Sequence, residues 1–182
     1  MEETESIAAR GAGQEELYRE AVAAYGAPLG RLARAYEMDA DARRDLLQEI
    51  HLALWRSFAS FDARCSLRTW TYRVAHNAAA SHVLRQRRRR ALVLVSLEEL
   101  EAMPDPGEGP RAADERHTLD RLLALIQQLR PLDRQVILSY LEGMDAASTA
   151  EITGISAGNV ATKIHRIKQI LARRFHEGEP HG

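Results

Sequence analysis

Cysteine is almost missing: Cys65 is the only one in 182 residues. A single thiol cannot close an internal disulfide, so the fold must rest on burial, and a reducing compartment suits it. Long apolar runs are missing as well, since none approaches the ~20 residues needed to cross a bilayer. The opening MEETESIAARGAGQEE is acidic and lacks the basic start and apolar centre of a secretory signal. These absences predict a cytoplasmic protein without membrane insertion. Net charge is close to zero, because 25 Lys and Arg face 26 Asp and Glu. Coating of nucleic acid through bulk charge is thereby excluded; any such contact must come from local patches.

Strand patterns are equally scarce. Nothing alternates with period two for long, and ALVLV at 91–95 is the one β-like run. The pattern predicts an all-α fold. Chemistry-bearing constellations are missing too. His51, His76, His82, His117, His165, His176 and His181 lack ligand spacing with the one Cys or with paired acids. No phosphate-cradling glycine loop or nucleophile elbow is present. The sequence therefore predicts no catalytic residue, no metal and no cofactor, with His76 and His82 as surface residues or donors beside nucleic acid.

What is present falls into two helical blocks. PDPGEGP, residues 104–110, holds three of the six prolines. The wider stretch from Ser96 to Glu115 is acidic and poor in apolar residues, which predicts a flexible acidic linker. Ser96 and Glu99 have capping-box spacing, suited to one short turn of helix within it.

Before the linker, Leu17, Tyr25, Leu29, Leu32 and Tyr36 fall near helical spacing, with a bend expected at Gly26–Pro28. A second helix follows Asp39 or Asp41 as N-cap, with Leu47, Ile50, Leu54 and Phe58 as its apolar stripe. A third starts near Ser66, with Leu67, Trp70, Val74 and Ala78 predicted inward and Arg68, Tyr72, Arg73, His76 and Asn77 elsewhere. It runs into Arg85, Arg87, Arg88, Arg89 and Arg90. After the linker, Leu119, Leu122, Leu123, Ile126 and Leu129 mark a helix stopped by Pro131. Val136, Ile137, Tyr140 and Leu141 mark another, stopped at Gly143.

The last two helices carry the most specific signal, in AASTAEITGISAGNVATKIHRIKQIL. Gly154 permits the left-handed residue of a tight inter-helix turn. Ile155 plugs the angle, and Ser156 caps the following helix. Val160, Ile164, Ile167 and Leu171 commit one side to the core, which leaves Asn159, Thr162, Lys163, His165, Arg166 and Lys168 on the other. That grammar is a helix-turn-helix, whose second helix reads the major groove. A helical hairpin with a solvated basic face has the same pattern.

Two further faces stand out. Asp45, Gln48 and Glu49, with Leu52 and Trp55, combine acids with an aromatic, as a surface docking onto a basic protein would. Periodicity alone equally allows a solvated face with a partly buried Trp. FDARCSLRTWTYRVAHNAAASHVLRQRRRR interleaves aromatics with arginines, which suits single-stranded nucleic acid. Trp70 lies on the predicted core stripe, whereas Tyr72 is placed either to face DNA or to stand as a plain surface residue.

Together these blocks resemble bacterial RNA polymerase sigma factors of the extracytoplasmic-function (ECF) type. DLLQEIHLALWRSF resembles the region 2 helix that grips the polymerase clamp. SLRTWTYRVAHNAAASHVLRQRRRR resembles the segment engaging the −10 element, and LRPLDRQVILSYLEGMDAASTAEITGISAGNVATKIHRIKQIL resembles region 4, which binds the −35 element. The resemblance spans nearly all of residues 15–175. It implies a region 2 domain at 15–92, an acidic linker at 93–115 and a region 4 domain at 116–176.

It further implies that Asp45, Gln48, Glu49 and Trp55 contribute to the polymerase interface. Asp62, Arg64, Ser66, Arg68, Tyr72, Arg73, Asn77, Ser81 and Arg85 would meet the melted −10 strand. Ser156, Asn159, Thr162, Lys163, His165 and Arg166 would meet the −35 duplex. The implied partners are core RNA polymerase through its clamp and flap, promoter DNA as duplex and single strand, and a restraining anti-sigma protein. His165, Ala161 and Ser81 depart from residues common in the family, so the promoter sequence does not transfer. Two other readings remain at this point: a stand-alone helix-turn-helix regulator, and a helical adaptor without DNA contact.

Overall fold

The computed structural model describes the backbone of residues 2–90, 94–102 and 115–176 and the side chains of 13–86, 94–102 and 118–174. The chain divides into two compact units after Arg85. Among the described residues the regular elements are helices, as the patterning predicts. The one extended feature among the described residues is an isolated bridge between Val95, inside ALVLV, and Leu129.

The first unit contains α1 (Glu2–Tyr36), α2 (Ala40–Phe58) and α3, which runs from Leu67 to Arg90 and so continues past the unit boundary. α1 continues through Gly26 and Pro28 as one helix, although Pro28 has no N–H to give the preceding turn. It ends before Asp39, whose carboxylate caps α2 by accepting from the Asp41 and Ala42 amides at 3.1 and 2.9 Å. Ser66 caps α3, its hydroxyl accepting from the Thr69 amide at 3.0 Å.

The core of this unit corrects the expected faces. On α2 the buried stripe is Leu46, Ile50, Leu54 and Phe58, so Leu46 takes the place given to Leu47. On α3 the buried residues include Tyr72, Ala75, His76, Ala79, His82 and Val83, while Leu67, Trp70, Val74 and Ala78 are only half-buried. The inward face is thus rotated by roughly a third of a turn from the one that the large apolar residues suggest. Ala75 and Ala79 are fully buried on that inward face. His76 stands among them because the Tyr36 hydroxyl lies 3.1 Å from its Nδ1, which offsets the cost of burying a polar ring. Trp70 keeps its rim position by donating from Nε1 to the Ser57 hydroxyl at 3.0 Å.

The second unit holds α4 (Leu97–Ala102), α5 (Glu115–Gln128), α6 (Pro131–Leu141), α7 (Ala146–Thr153) and α8 (Ala157–His176). The Ser96–Glu99 box forms: the Ser96 amide donates to the Glu99 carboxylate at 2.6 Å, and the Glu99 amide to the Ser96 hydroxyl at 3.2 Å. α4 thus lies within the stretch expected to be flexible, whereas PDPGEGP falls outside the described residues.

α6 is the hub, packed against α7 and α8. Every residue from Asp133 to Ser139 is buried, so apolar periodicity is a poor guide to its faces. Tyr140 and Leu141, expected inward, are exposed at its end, as is Leu119 on α5. The buried Arg134 guanidinium donates to the Gln127 carbonyl and, at 3.1 Å, to that of Leu129. It thereby satisfies carbonyls at the end of α5 that have no partner within that helix.

Candidate nucleic-acid interface

The turn between α7 and α8 has the geometry its residues dictate. Asp145 caps α7 by accepting from the Ser148 amide at 2.7 Å. Gly154 closes it with φ +77°, in the left-handed region. Ile155 is half-buried in the angle, and Ser156 accepts from the Asn159 amide at 3.3 Å to open α8. Val160, Ile167, Ile170 and Leu171 turn inward, with Ile164 half-buried beside them. Asn159, Thr162 and His165 are exposed along the first three turns. A protein surface built this way can enter a groove and offer hydrogen bonds to base edges.

Two of the predicted basic contacts have internal partners. Lys163 donates to the buried Asp133 carboxylate at 2.6 Å, tying α8 to α6. Arg166 donates to Glu98 at 2.5 Å and to Glu101 at 3.1 Å, both on α4. Hydrogen bonds from Arg166 and then Arg173 hold the Glu101 carboxyl below its usual range. The Arg166 guanidinium is raised in turn, first by Glu101 and then by Glu98. Lys168 donates to the Tyr140 hydroxyl at 3.1 Å. None of these pairings can be seen in the periodicity of α8, because each partner lies elsewhere in the chain.

In the first unit, Asp62, Arg64 and Ser66 are exposed in the loop between α2 and α3. The Asp62 carboxylate accepts from the Arg64 amide at 3.2 Å and pairs with its guanidinium at 3.1 Å. Ala63 between them has φ +58°, a conformation that costs a non-glycine residue about 1–2 kcal/mol. Strain of this kind tends to gather at functional loops. Along α3, Asn77 and Ser81 are exposed one turn apart, and Arg73 lies one turn before them with its guanidinium 5.8 Å from the Trp70 ring centre. Arg68 lies 5.9 Å from the Tyr72 ring centre.

Tyr72 itself corrects the expectation of an outward side chain. It is 1% exposed and meets Tyr25 edge-on at 6.1 Å. His76 and His82 are likewise buried rather than superficial, and burial pushes the His76 imidazole down to about 3. His82 lies between two acids, with Nδ1 3.5 Å from Glu49 and Nε2 4.0 Å from Glu37.

On α2, Asp45, Gln48, Leu52 and Trp55 share one exposed face, with Leu52 and Trp55 about half exposed. Glu49, at its edge, pairs with Arg85 of α3. The side chains of Arg87, Arg88, Arg89 and Arg90 lie outside the described residues. Among the described residues, no group of three or more His, Cys, Asp or Glu could hold a metal ion. No described helix is long and apolar enough to cross a membrane.

Residues 21–89 match the Sigma-70 region 2 family, and residues 119–171 match Sigma-70 region 4. The chain is 28% identical over 142 residues to the ECF RNA polymerase sigma-E factor of Haemophilus influenzae, covering 72% of this chain and 73% of that one. It is 26% identical over 171 residues to the ECF RNA polymerase sigma factor SigM of Mycobacterium tuberculosis, covering 94% and 83%. Its fold resembles that of CnrH, solved in complex with the cytosolic domain of CnrY. The TM-score is 0.67 at 22% identity, over 94% of this chain and 96% of that chain. With both regions present in order, the chain belongs to the sigma-70 family as an ECF-type sigma factor, the subunit that binds core RNA polymerase and directs it to promoters.

Proposed function

We propose a division of labour for this sigma factor across domains at 15–92 and 116–176, joined by an acidic linker at 93–115. The α2 face of Asp45, Gln48 and Trp55, with Glu49 at its edge, docks on the polymerase clamp. Asp62, Arg64 and Ser66 border the pocket for a base flipped from the −10 element. Arg68, Arg73, Asn77, Ser81 and Arg85 follow the adjoining strand, with Tyr72 acting from the core to hold Arg68 in place. Ser156, Asn159, Thr162, His165 and Arg166 meet the −35 duplex, and Lys163 sets the pitch of α8 through Asp133.

The mechanism is recognition without catalysis. Duplex contact fixes register, and trapping a flipped base offsets an unstacking cost of roughly a few kcal/mol. The arginines at the end of α3 add salt-sensitive phosphate attraction. The protein works in the cytoplasm, and its two DNA-binding faces suit restraint by an anti-sigma protein.

The observation that carries this reading is the α7–Gly154–α8 turn, which leaves Asn159, Thr162 and His165 exposed at the start of a well-capped helix. Transcription in vitro with core polymerase across genomic fragments tests it. Discrete start sites that depend on this chain are expected; their absence sinks the reading.

A further inference from the structure

The unit holding α8 contains its own acidic competitor for one of the DNA-facing arginines. α4 is fastened at both ends. Upstream, the Val95 amide donates to the Gln128 carbonyl at 2.8 Å and the Arg130 amide to the Val95 carbonyl at 3.2 Å. Downstream, the buried Arg174 donates to the Leu100 carbonyl at 2.5 Å. Leu97 and Leu100 are buried between these ties, which fixes the roll of this short helix. With its apolar side committed, Glu98 and Glu101 fall on the side that meets α8.

There they engage Arg166 together, and Glu101 also accepts from Arg173 at 3.2 Å. Arg166 and Arg173 are seven residues apart, two turns along one flank of α8. That flank borders the exposed strip of Thr162, His165 and Gln169. Carboxylate oxygens offer a guanidinium the same kind of anionic acceptor that phosphate oxygens do. A guanidinium so engaged cannot fully serve a phosphate as well.

We propose that α4 is a built-in acidic strap that imitates phosphate at Arg166 and Arg173 and weakens duplex binding by the free protein. Binding of duplex DNA exchanges Glu98 and Glu101 for phosphate oxygens. The strap rests on the reading of α8 as the duplex-binding helix and adds a restraint on that same surface. It is local to the second unit and needs no other protein. Glu99 on the same helix faces Arg130 instead, at 3.5 Å, and serves the Ser96 cap. It therefore offers a single-charge control, compared per charge removed.

The test uses the full-length protein and a fluorescently labelled duplex carrying the upstream half of a promoter mapped by transcription with core polymerase. Binding is measured by anisotropy from low to moderate salt. Glu98→Gln combined with Glu101→Gln should tighten binding about three- to tenfold at roughly 0.1 M salt. The log K against log salt slope should steepen by about one, the signature of one regained phosphate contact. Glu99→Gln should change affinity less than about twofold, as expected of a screened charge with no partner on α8.

Adding Arg166→Ala to the double variant should abolish most of the gain. Unchanged or weaker binding by the double variant overturns the strap, and weaker binding would mean that the acids position Arg166 for DNA. An equal gain per charge from Glu99→Gln overturns it too, since a general field would then suffice. Asn159→Ala with Thr162→Ala separates the two ideas. If that pair leaves duplex binding intact, the underlying assignment of α8 fails. If the pair weakens binding while the Glu variants do nothing, only the strap fails.

Discussion

The Tyr36 hydroxyl and His76 Nδ1 lie 3.1 Å apart in the core of the first unit, joining α1 to α3. His76 is completely buried, and its imidazole is pushed down to about 3 by burial. The native state therefore holds it neutral, while the unfolded chain protonates it near 6.5. Between about 3 and 6.5 the unfolded state binds the extra proton, so stability rises with pH across that window and levels off above it. His51 is shifted in the same direction, also by burial, and adds to the same slope. Urea midpoints followed from pH 8 down to pH 5 should fall steadily below about pH 6.5. In His76→Phe the slope should flatten even if the variant is less stable throughout. An unchanged slope would show that His76 does not titrate on unfolding.

Lys163 and Asp133 form the tie that sets α8 on α6. The Asp133 side chain is 8% exposed and that of Lys163 31%. Removing the lysine strands a buried carboxylate, which is costlier than losing a surface pair. Because Lys163 is partly solvated, the expected loss for Lys163→Ala is about 1–3 kcal/mol. Thr162→Ala, one residue away and exposed, should stay within about 0.5 kcal/mol. Asp133→Asn should recover part of the stability lost in Lys163→Ala. Thermal unfolding of the wild type, the two single variants and the double variant in a double-mutant cycle measures the coupling; additive losses would mean the pair contributes nothing beyond its single residues.

How far the chain could be read before its structure follows from where each signal resides. Caps and turns are written in adjacent residues, so Ser96–Glu99, Gly154 and Ser156 were legible with their roles, and Asp39 as one of two candidate caps. The faces of α3 were not, because its inward stripe is built from alanines, Tyr72 and two histidines that hydropathy does not favour. On α6, burial from Asp133 to Ser139 erases the contrast that periodicity needs. At the candidate site, exposure of Asn159, Thr162 and His165 follows from the apolar stripe of α8. The ties of Lys163 to Asp133 and of Arg166 to Glu98 and Glu101 span 30 to 68 residues and leave no local trace.

The inter-helix turn gives a prediction of opposite signs at two glycines. Gly154 has φ +77°, yet a Cβ added there would meet no heavy atom within 4 Å. Gly154→Ala should thus cost about 1–2 kcal/mol from backbone conformation alone. Gly158, in the first turn of α8, has the same open surroundings with an ordinary helical backbone. Gly158→Ala should stabilise by about 0.4–1 kcal/mol through lower unfolded-state entropy. Chemical denaturation of both variants checks the pair. Similar effects at the two sites would mean the turn conformation is not what Gly154 supplies.

Tyr72 and Asn77 lie five residues apart on α3 and should behave in contrary ways. Tyr72 is sealed in the core against Tyr25 and His76. Truncation to Ala leaves a cavity and should cost about 3–5 kcal/mol, with polymerase binding and promoter opening lost together as the first unit loosens. Asn77 is exposed, so Asn77→Ala should change stability by less than about 0.5 kcal/mol. Its loss should fall on promoter opening, read as permanganate reactivity of unpaired thymines, with the affinity for core polymerase retained. The separation rests on burial: one side chain holds the helix in place, and the other is free to touch a strand. If Asn77→Ala weakened polymerase binding as much as opening, the exposed strip of α3 would be part of the protein interface rather than a track for DNA.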